Sequence, residues 1–363
     1  MKIRAMAGVL AAFLFFSCDQ SPIFYAIYQE VEPKDPRVKG NPTNMVELDE
    51  IMYVASRFGK YVHRYGNGEW ISPIASPGGR NIMELETDGK SLYALAGDPL
   101  GKTEVYVKKD DDAWDPIRFD ASGVIQTICG AGDANGGYLF ASTEEGLFSY
   151  QTGGEEFSSE SLLPDLPKED IVKGAARLDG MYYVAIVNKG IYTFDGASLS
   201  AEPVDGTAGK PIVGIRVAGN RIVAVSRYPS DGAGSLFYGD SSGFTEVNKG
   251  VAFSGAMGIW RNPDNPTQSL LLVGIQSQTY STVNGYREIL LGDDGSLDVN
   301  SLGLRTPGDS SEVSTVSSAD RYTSTMGLRV ATALYQAPDN TLFASTMKNG
   351  LWSYRRDVWN AEE

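Results

Sequence analysis

One phrase occurs twice in this chain, and it limits the fold more than any other feature. Leu139-Phe140-Ala141-Ser142-Thr143, then Gly146-Leu147-Phe148-Ser149-Tyr150, returns as Leu342-Phe343-Ala344-Ser345-Thr346, then Gly350-Leu351-Trp352-Ser353-Tyr354. Each copy is two apolar runs of strand length joined by a short polar loop, the pattern of a β-hairpin. Looser copies begin at Ile51, Leu92, Tyr182, Ile222 and Leu271. Together they make about seven units at a period of roughly 40–50 residues.

Turn residues mark each unit. Asp49, Asp88-Gly89, Gly136-Gly137, Asp179-Gly180, Gly219-Asn220, Asn265-Pro266 and Asp339-Asn340 precede the first run of each hairpin. Another apolar segment, such as Val124 to Ile128 or Ile212 to Val217, precedes most of these turns. Further turns, such as Asn67-Gly68 and Asp294-Gly295, follow the second run. Each unit therefore reads as a four-stranded antiparallel meander, A-B-C-D. One such sheet buries too little apolar area to stand alone, and stacking on its neighbours supplies the rest. A 42% hydrophobic and 10% aromatic composition is ample for such a core. The expected fold is all-β, a β-propeller of seven four-stranded blades. A β-sandwich array is the rival, but it has no reason to keep so regular a period.

The first residues read as an address. Lys2 and Arg4 form a charged start, and Ala5 to Phe16 is an apolar run too short to span a bilayer. Phe15-Phe16-Ser17-Cys18 resembles a bacterial lipobox of the spirochaete type, with Phe15 for the usual Leu and Ser17 for the usual Gly or Ala. The expected organisation is a signal peptide over 1–17, a lipidated N-terminus and tether over 18–44, and the propeller over 45–363. Pro22, Pro33, Pro36 and Pro42 interrupt the tether, although Ile23 to Val31 is apolar enough for an extra strand. Taken together, the chain resembles β-propeller lipoproteins of the bacterial envelope, over 45–360 as a repeat and over 1–18 as an address. That resemblance implies lipidation at Cys18 and a membrane-anchored protein facing the periplasm or the cell surface. A recurring Trp-Asp signature is missing, since Trp114-Asp115 is the single such pair.

Charge excludes some partners. The formal net charge is −15, and losing Lys2 and Arg4 with the signal peptide would make it −17. Nucleic acid needs Lys and Arg to neutralise its phosphates, so it is not an expected partner. The same sign disfavours docking on anionic lipid headgroups. Two cysteines, Cys18 and Cys129, make neither a disulfide framework nor a zinc site.

Strand alternation puts the B–C loops and the D–A connections at one end of every blade. Three of these are long: Arg227 to Gly232, Gln276 to Tyr286, and about Gly303 to Gly327. Long loops in a compact domain are functional or unstructured, and Tyr and Arg are enriched at interface hot spots. The expected binding residues are Arg227, Tyr228, Asp231, Gln276, Tyr280, Asp320, Arg321 and Tyr322, facing a protein partner in the cell envelope. The plain alternative is that the Ser/Thr-rich third loop is an insertion with no partner.

Catalytic chemistry finds little support. His63 is the single histidine and alternates with Tyr61 and Tyr65, so a structural role is expected and a multi-histidine metal site is excluded. Cys129 ends an apolar run and reads as a buried, inert thiol. Asp110-Asp111-Asp112 and Asp293-Asp294 fall at C–D turns and lack calcium-loop spacing. No glycine-rich phosphate loop opens a helix, and no cofactor or metal is expected. Glu47, Glu84 and Glu86 fall on inner strands near the central channel, and two carboxylates suffice for a glycosidase. A carbohydrate-active enzyme is therefore the alternative to a non-enzymatic binding scaffold. A surface lipoprotein binding host or environmental ligands is a third reading.

Overall fold

The computed structural model describes residues 37–98, 101–164, 166–230, 232–263, 265–276, 285–291, 329–355 and 358–362. Within them the hairpin repeat becomes seven antiparallel sheets in chain order. Blade 1 is β1 Val46–Leu48, β2 Ile51–Ala55, β3 Tyr61–Gly66 and β4 Glu69–Ala75. Blade 2 is β5 Asn81–Thr87, β6 Leu92–Gly97, β7 Thr103–Lys108 and β8 Trp114–Pro116. Blade 3 is β9 Thr127–Asp133, β10 Gly136–Thr143, β11 Gly146–Gln151 and β12 Leu163–Pro164. Blade 4 is β13 Val172–Leu178, β14 Met181–Ile186 and β15 Gly190–Phe194. Blade 5 is β16 Ile212–Ala218, β17 Arg221–Ser226, β18 Leu236–Asp240 and β19 Gly243–Val247. Blade 6 is β20 Phe253–Asn262, β21 Asn265–Ile275 and β22 Gly285–Leu291. Blade 7 is β23 Ala331–Gln336, β24 Leu342–Thr346, β25 Gly350–Arg355 and β26 Val358–Ala361. In blade 4 an irregular segment takes the outer place, bridging Phe194 to Leu199 and bonding Ser200 and Val204 back to β15. In blade 6 the chain past Leu291 lies outside the described residues.

The second strand of each blade explains the ring. Its side chains alternate by the period of two, yet both faces are apolar, because each is covered by a different neighbour. On β10, Leu139 and Ala141 pack toward blade 2 while Phe140 packs toward blade 4. On β17, Ile222 and Ala224 face blade 4 while Val223 and Val225 face blade 6. Among the described residues this yields seven buried clusters, one for each pair of neighbouring blades. The seventh joins Met52, Val54 and Tyr65 of blade 1 to Tyr335, Phe343 and Leu351 of blade 7, so the ring closes through the same packing as every other junction.

Residues 37–44 stitch that junction. Arg37 and Val38 make backbone bonds to Glu362 and Leu351 of blade 7, and Thr43 bonds to Ala55 of blade 1. These residues, assigned to the tether by the sequence, belong to the fold, since their amides and carbonyls fill the ends of blades 7 and 1. Residues 1–36, with Cys18 and Ile23 to Val31, lie outside the described residues.

Two strand boundaries also differ from expectation. The blade 6 hairpin turns between Asn262 and Asn265 and not at Asn265-Pro266. The first of the two Asn-Pro pairs makes the turn, with Pro263 pre-set for its second position. The inner strand of blade 3 begins at Thr127, and Val124 before it is exposed.

Turn aspartates latch one blade to the next. Fully buried Asp88, in the β5–β6 turn, accepts amide bonds from Lys90 and Ser91 at 3.0 and 2.8 Å. Its other oxygen accepts the Tyr93 hydroxyl at 2.5 Å and the Thr152 hydroxyl of blade 3. Asp339, in the β23–β24 turn, accepts the Tyr65 hydroxyl of blade 1 at 2.5 Å. Asp112 pairs with Arg64 of blade 1 at 2.9 Å, so the Asp110–Asp112 turn is structural, as its position suggested. Replacing Asp88 with Ala removes the acceptor of four donors, of which the Tyr93 hydroxyl is buried, and we expect a loss of about 2 kcal/mol in urea unfolding. A loss below about 0.5 kcal/mol would show that the latch does not matter.

Candidate functional site: the central channel and the loop face

The seven inner strands surround a channel of about 600 Å³, lined by residues of β1, β5, β9, β13, β16, β20 and β23. Five of these strands, β5, β13, β16, β20 and β23, carry a register shift near their first residues. An inserted residue bends a strand and re-aims its side chain. The residues so displaced, Met83, Lys173, Val213, Ser254 and Thr332, all line the channel. They stand at the end shared by the B–C loops and D–A connections, so the bulges shape the mouth on the loop face. At Gly214 and Gly255 the inner strands run so close that a Cβ would sit 2.3 and 2.4 Å from the facing carbonyl oxygen.

The channel holds the three expected glutamates, and each is tied to an adjoining blade. Glu47 accepts the Tyr335 hydroxyl across the ring closure at 2.9 Å. Glu84 accepts the Thr127 hydroxyl at 2.7 Å and the Ile128 amide at 2.9 Å, both from blade 3. Glu86 accepts from Asn44 at 2.7 Å and from the Gly130 amide at 3.3 Å. Burial first, and then the charge of Glu84, pushes the Glu86 carboxyl up to about 8. Burial, with Arg261 nearby, holds the Arg216 guanidinium below its ordinary value.

Two further reactive side chains, His63 and Cys129, sit within the packing. The His63 ring lies edge-on to Trp70, and burial followed by the charge of Arg37 lowers its pKa, which favours the neutral form. The buried Cys129 thiol is pushed up by desolvation, then by Glu86 and Glu84, away from thiolate reactivity. Among the described residues no group of His, Cys, Asp and Glu is arranged to hold a metal ion.

On the loop face the structure brings two expected residues together. Arg227 follows β17 and Gln276 follows β21, and the guanidinium donates to the Gln276 side-chain carbonyl, joining the loops of blades 5 and 6. It also reaches the Phe253 carbonyl at 3.4 Å. Tyr228 stands exposed beside this link, in a loop closed by backbone bonds to Gly232 and Ala233. Asp231, Tyr280, Asp320, Arg321 and Tyr322 lie outside the described residues.

Other loop-face residues escaped the sequence reading. The large exposed apolar side chains among the described residues are Phe58, Tyr61, Val124, Tyr228 and Met347. Every one lies in a B–C loop, at the first residue of a C strand, or in a D–A connection. The opposite face carries the acidic turns at Asp49-Glu50, Asp110–Asp112, Asp133, Asp179 and Asp240 and none of these apolar side chains. Their signal in the sequence was an apolar residue set between cations in a short loop, as in Arg57-Phe58-Gly59-Lys60.

No protein-family model and no curated protein matches the sequence. Solved structures do match the fold. A GH74 enzyme from Niastella koreensis superposes with a TM-score of 0.59 at 13% identity, covering 88% of this chain and 53% of that one. The chain thus spans about half the length of that enzyme. Virginiamycin B lyase from Staphylococcus aureus gives 0.55 at 10% identity, over 86% and 94% of the two chains. YCF48 from Cyanidioschyzon merolae gives 0.52 at 11% identity, over 90% and 96%. With these likenesses the fold is a seven-bladed β-propeller, and they extend no further than the fold.

The raised carboxyl makes a test of the channel. Unfolded, Glu86 titrates near 4.5; folded, it titrates at about 8. Between those values the native chain keeps a proton that the unfolded chain releases, so stability falls as pH rises through the window. Glu86→Gln keeps the shape without the charge. Its melting temperature should gain on the parent progressively from about pH 5 to about pH 8. A difference that does not change with pH would contradict the assignment.

Proposed function

We propose that this chain is a non-enzymatic lipoprotein of the bacterial envelope, anchored through a lipid on Cys18, whose propeller presents its loop face to a protein partner. The observation that carries the reading is the Arg227–Gln276 link with Tyr228 exposed beside it. Two loops from neighbouring blades become one surface, and an anchored Arg next to an exposed Tyr is the composition of an interface hot spot. The bulged channel mouth and the exposed apolar side chains favour the same face.

The alternative, a carbohydrate-active enzyme, draws on the Glu84 and Glu86 pair, one carboxyl of which stays protonated at neutral pH. The binding reading stands ahead because both carboxylates are engaged by blade 3 or by Asn44. An acid and a nucleophile must be free to face a sugar between them.

A photo-crosslinking residue at position 228 in growing cells should trap one protein, and the same residue at Glu50 on the opposite face should trap none. With that partner purified, Tyr228→Ala should weaken binding about tenfold or more. Equal adducts at both positions, or none at 228, would contradict the proposal.

A further inference from the structure

A second part of the loop face has a different chemistry. Residues 37–44, 56–61, 76–80 and 347–349 adjoin one another across blades 7, 1 and 2. The Asn41 carbonyl accepts the Arg57 amide at 2.8 Å, and its side-chain oxygen accepts the Lys348 amide at 2.6 Å. The Phe58 amide bonds to the Ile82 carbonyl, and Lys60 Nζ bonds to the Gly79 carbonyl at 2.6 Å. One arc results, and it holds the apolar tips Phe58, Tyr61 and Met347, respectively 46%, 55% and 37% exposed.

Its charge runs against the rest of the chain. These four segments contain Arg37, Lys39, Arg57, Lys60, Arg80 and Lys348 and no Asp or Glu, in a chain of net charge −15. Arg80 is paired with Glu104, and Glu362 lies beside Arg37. Arg57, Lys60 and Lys348 are exposed and make no ion pair among the described residues.

Phe58 is held at a loop tip with φ +67°, a backbone region costly for a bulky residue. The Arg57 guanidinium lies 5.6 Å over its ring, and 46% of the residue stays in solvent, so burial offsets only part of the strain. An aromatic ring presented in this way between Arg57 and Lys60 fits a ligand outside the chain.

The chain also enters the fold here. Arg37 opens the arc, nineteen residues after Cys18, and a fully extended stretch of that length reaches about 68 Å at most. We propose that the blade 7–1–2 arc docks on an anionic phospholipid bilayer, with Phe58, Tyr61 and Met347 entering the headgroup layer and Arg57, Lys60 and Lys348 meeting its phosphates. The lipid would hold the chain at the membrane, and a basic, aromatic patch beside the point where the chain enters the fold adds a second, reversible contact. The arc sets which way the anchored ring faces and leaves the Tyr228 surface of blade 5 to the partner. The lipid on Cys18 belongs to the functional reading above, but the arc is tested without it.

Residues 37–363 contain all seven blade junctions, so this piece can be tested without the anchor. It should sediment with vesicles containing phosphatidylglycerol and not with pure phosphatidylcholine vesicles, and added salt should release it. Arg57→Gln with Lys348→Gln should reduce the bound fraction about tenfold or more while the melting temperature is kept. A fluorophore on Phe58→Cys should shift to the blue on binding, and one on Tyr228→Cys should not. Equal binding to both vesicle types, no binding, or an unchanged double variant would overturn the proposal. So would a protein adduct from position 58 in cells together with no vesicle binding, since the occupant would then be a protein. Loss of the position 228 adduct alone would leave this arc standing and remove only the partner surface.

Discussion

Everything in this molecule depends on the B strand having two apolar faces. A strand covered on one side alternates polar and apolar, but here both sets of side chains are buried, each against a different neighbour. Met52 and Val54 face blade 7 while Tyr53 and Ala55 face blade 2, and the same division recurs around the ring. No blade can satisfy such a strand alone, so the chain must keep adding blades until the last meets the first. At about 25 cal/mol per Å², each junction is worth far more than any single hydrogen bond, and opening one exposes two blades at once.

The polar groups follow from that packing. Once apolar faces fill the junctions, the strand ends must be held by turn side chains, and aspartate and glutamate serve. Asp88, Asp339 and Asp112 bind hydroxyls or guanidinium groups of an adjoining blade; at the channel Glu47 and Glu84 accept hydroxyls of neighbouring blades and Glu86 accepts the amides of Asn44 and Gly130. Much of the acidity that suggests catalysis in the sequence is thus occupied by the architecture. The loop face differs: neither the B-strand packing nor the turn latches dictate its exposed residues.

The fold was readable because its signal is a period, and a period survives local error. The copies at Leu139 and Leu342 occupy equivalent places on β10 and β24, and the turns at Asp88-Gly89, Asp179-Gly180 and Asp339-Asn340 fall where their chemistry puts them. Boundaries were harder. Two Asn-Pro pairs stand together at 262–266, and only strand pairing shows which one turns. On the loop face, Arg227, Tyr228 and Gln276 were singled out from loop length, and the fold brings Arg227 and Gln276 together with Tyr228 exposed beside them. Phe58, Tyr61 and Met347 were missed because their loops are short, and because a net charge of −15 hides a local arc of cations drawn from four separate segments. Only closure of the ring brings residue 41 beside both residue 57 and residue 348.

The central claim is that the loop face is the working face of the ring. Hydrogen–deuterium exchange of the membrane-anchored protein in its native envelope, against the free propeller, reads both faces at once. The account predicts slower exchange in the B–C loops and D–A connections, including residues 56–61 and 227–230, with the A–B and C–D turns unchanged. Protection centred on the turns at residues 49–50, 110–112 and 179–180, or none on either face, would contradict it.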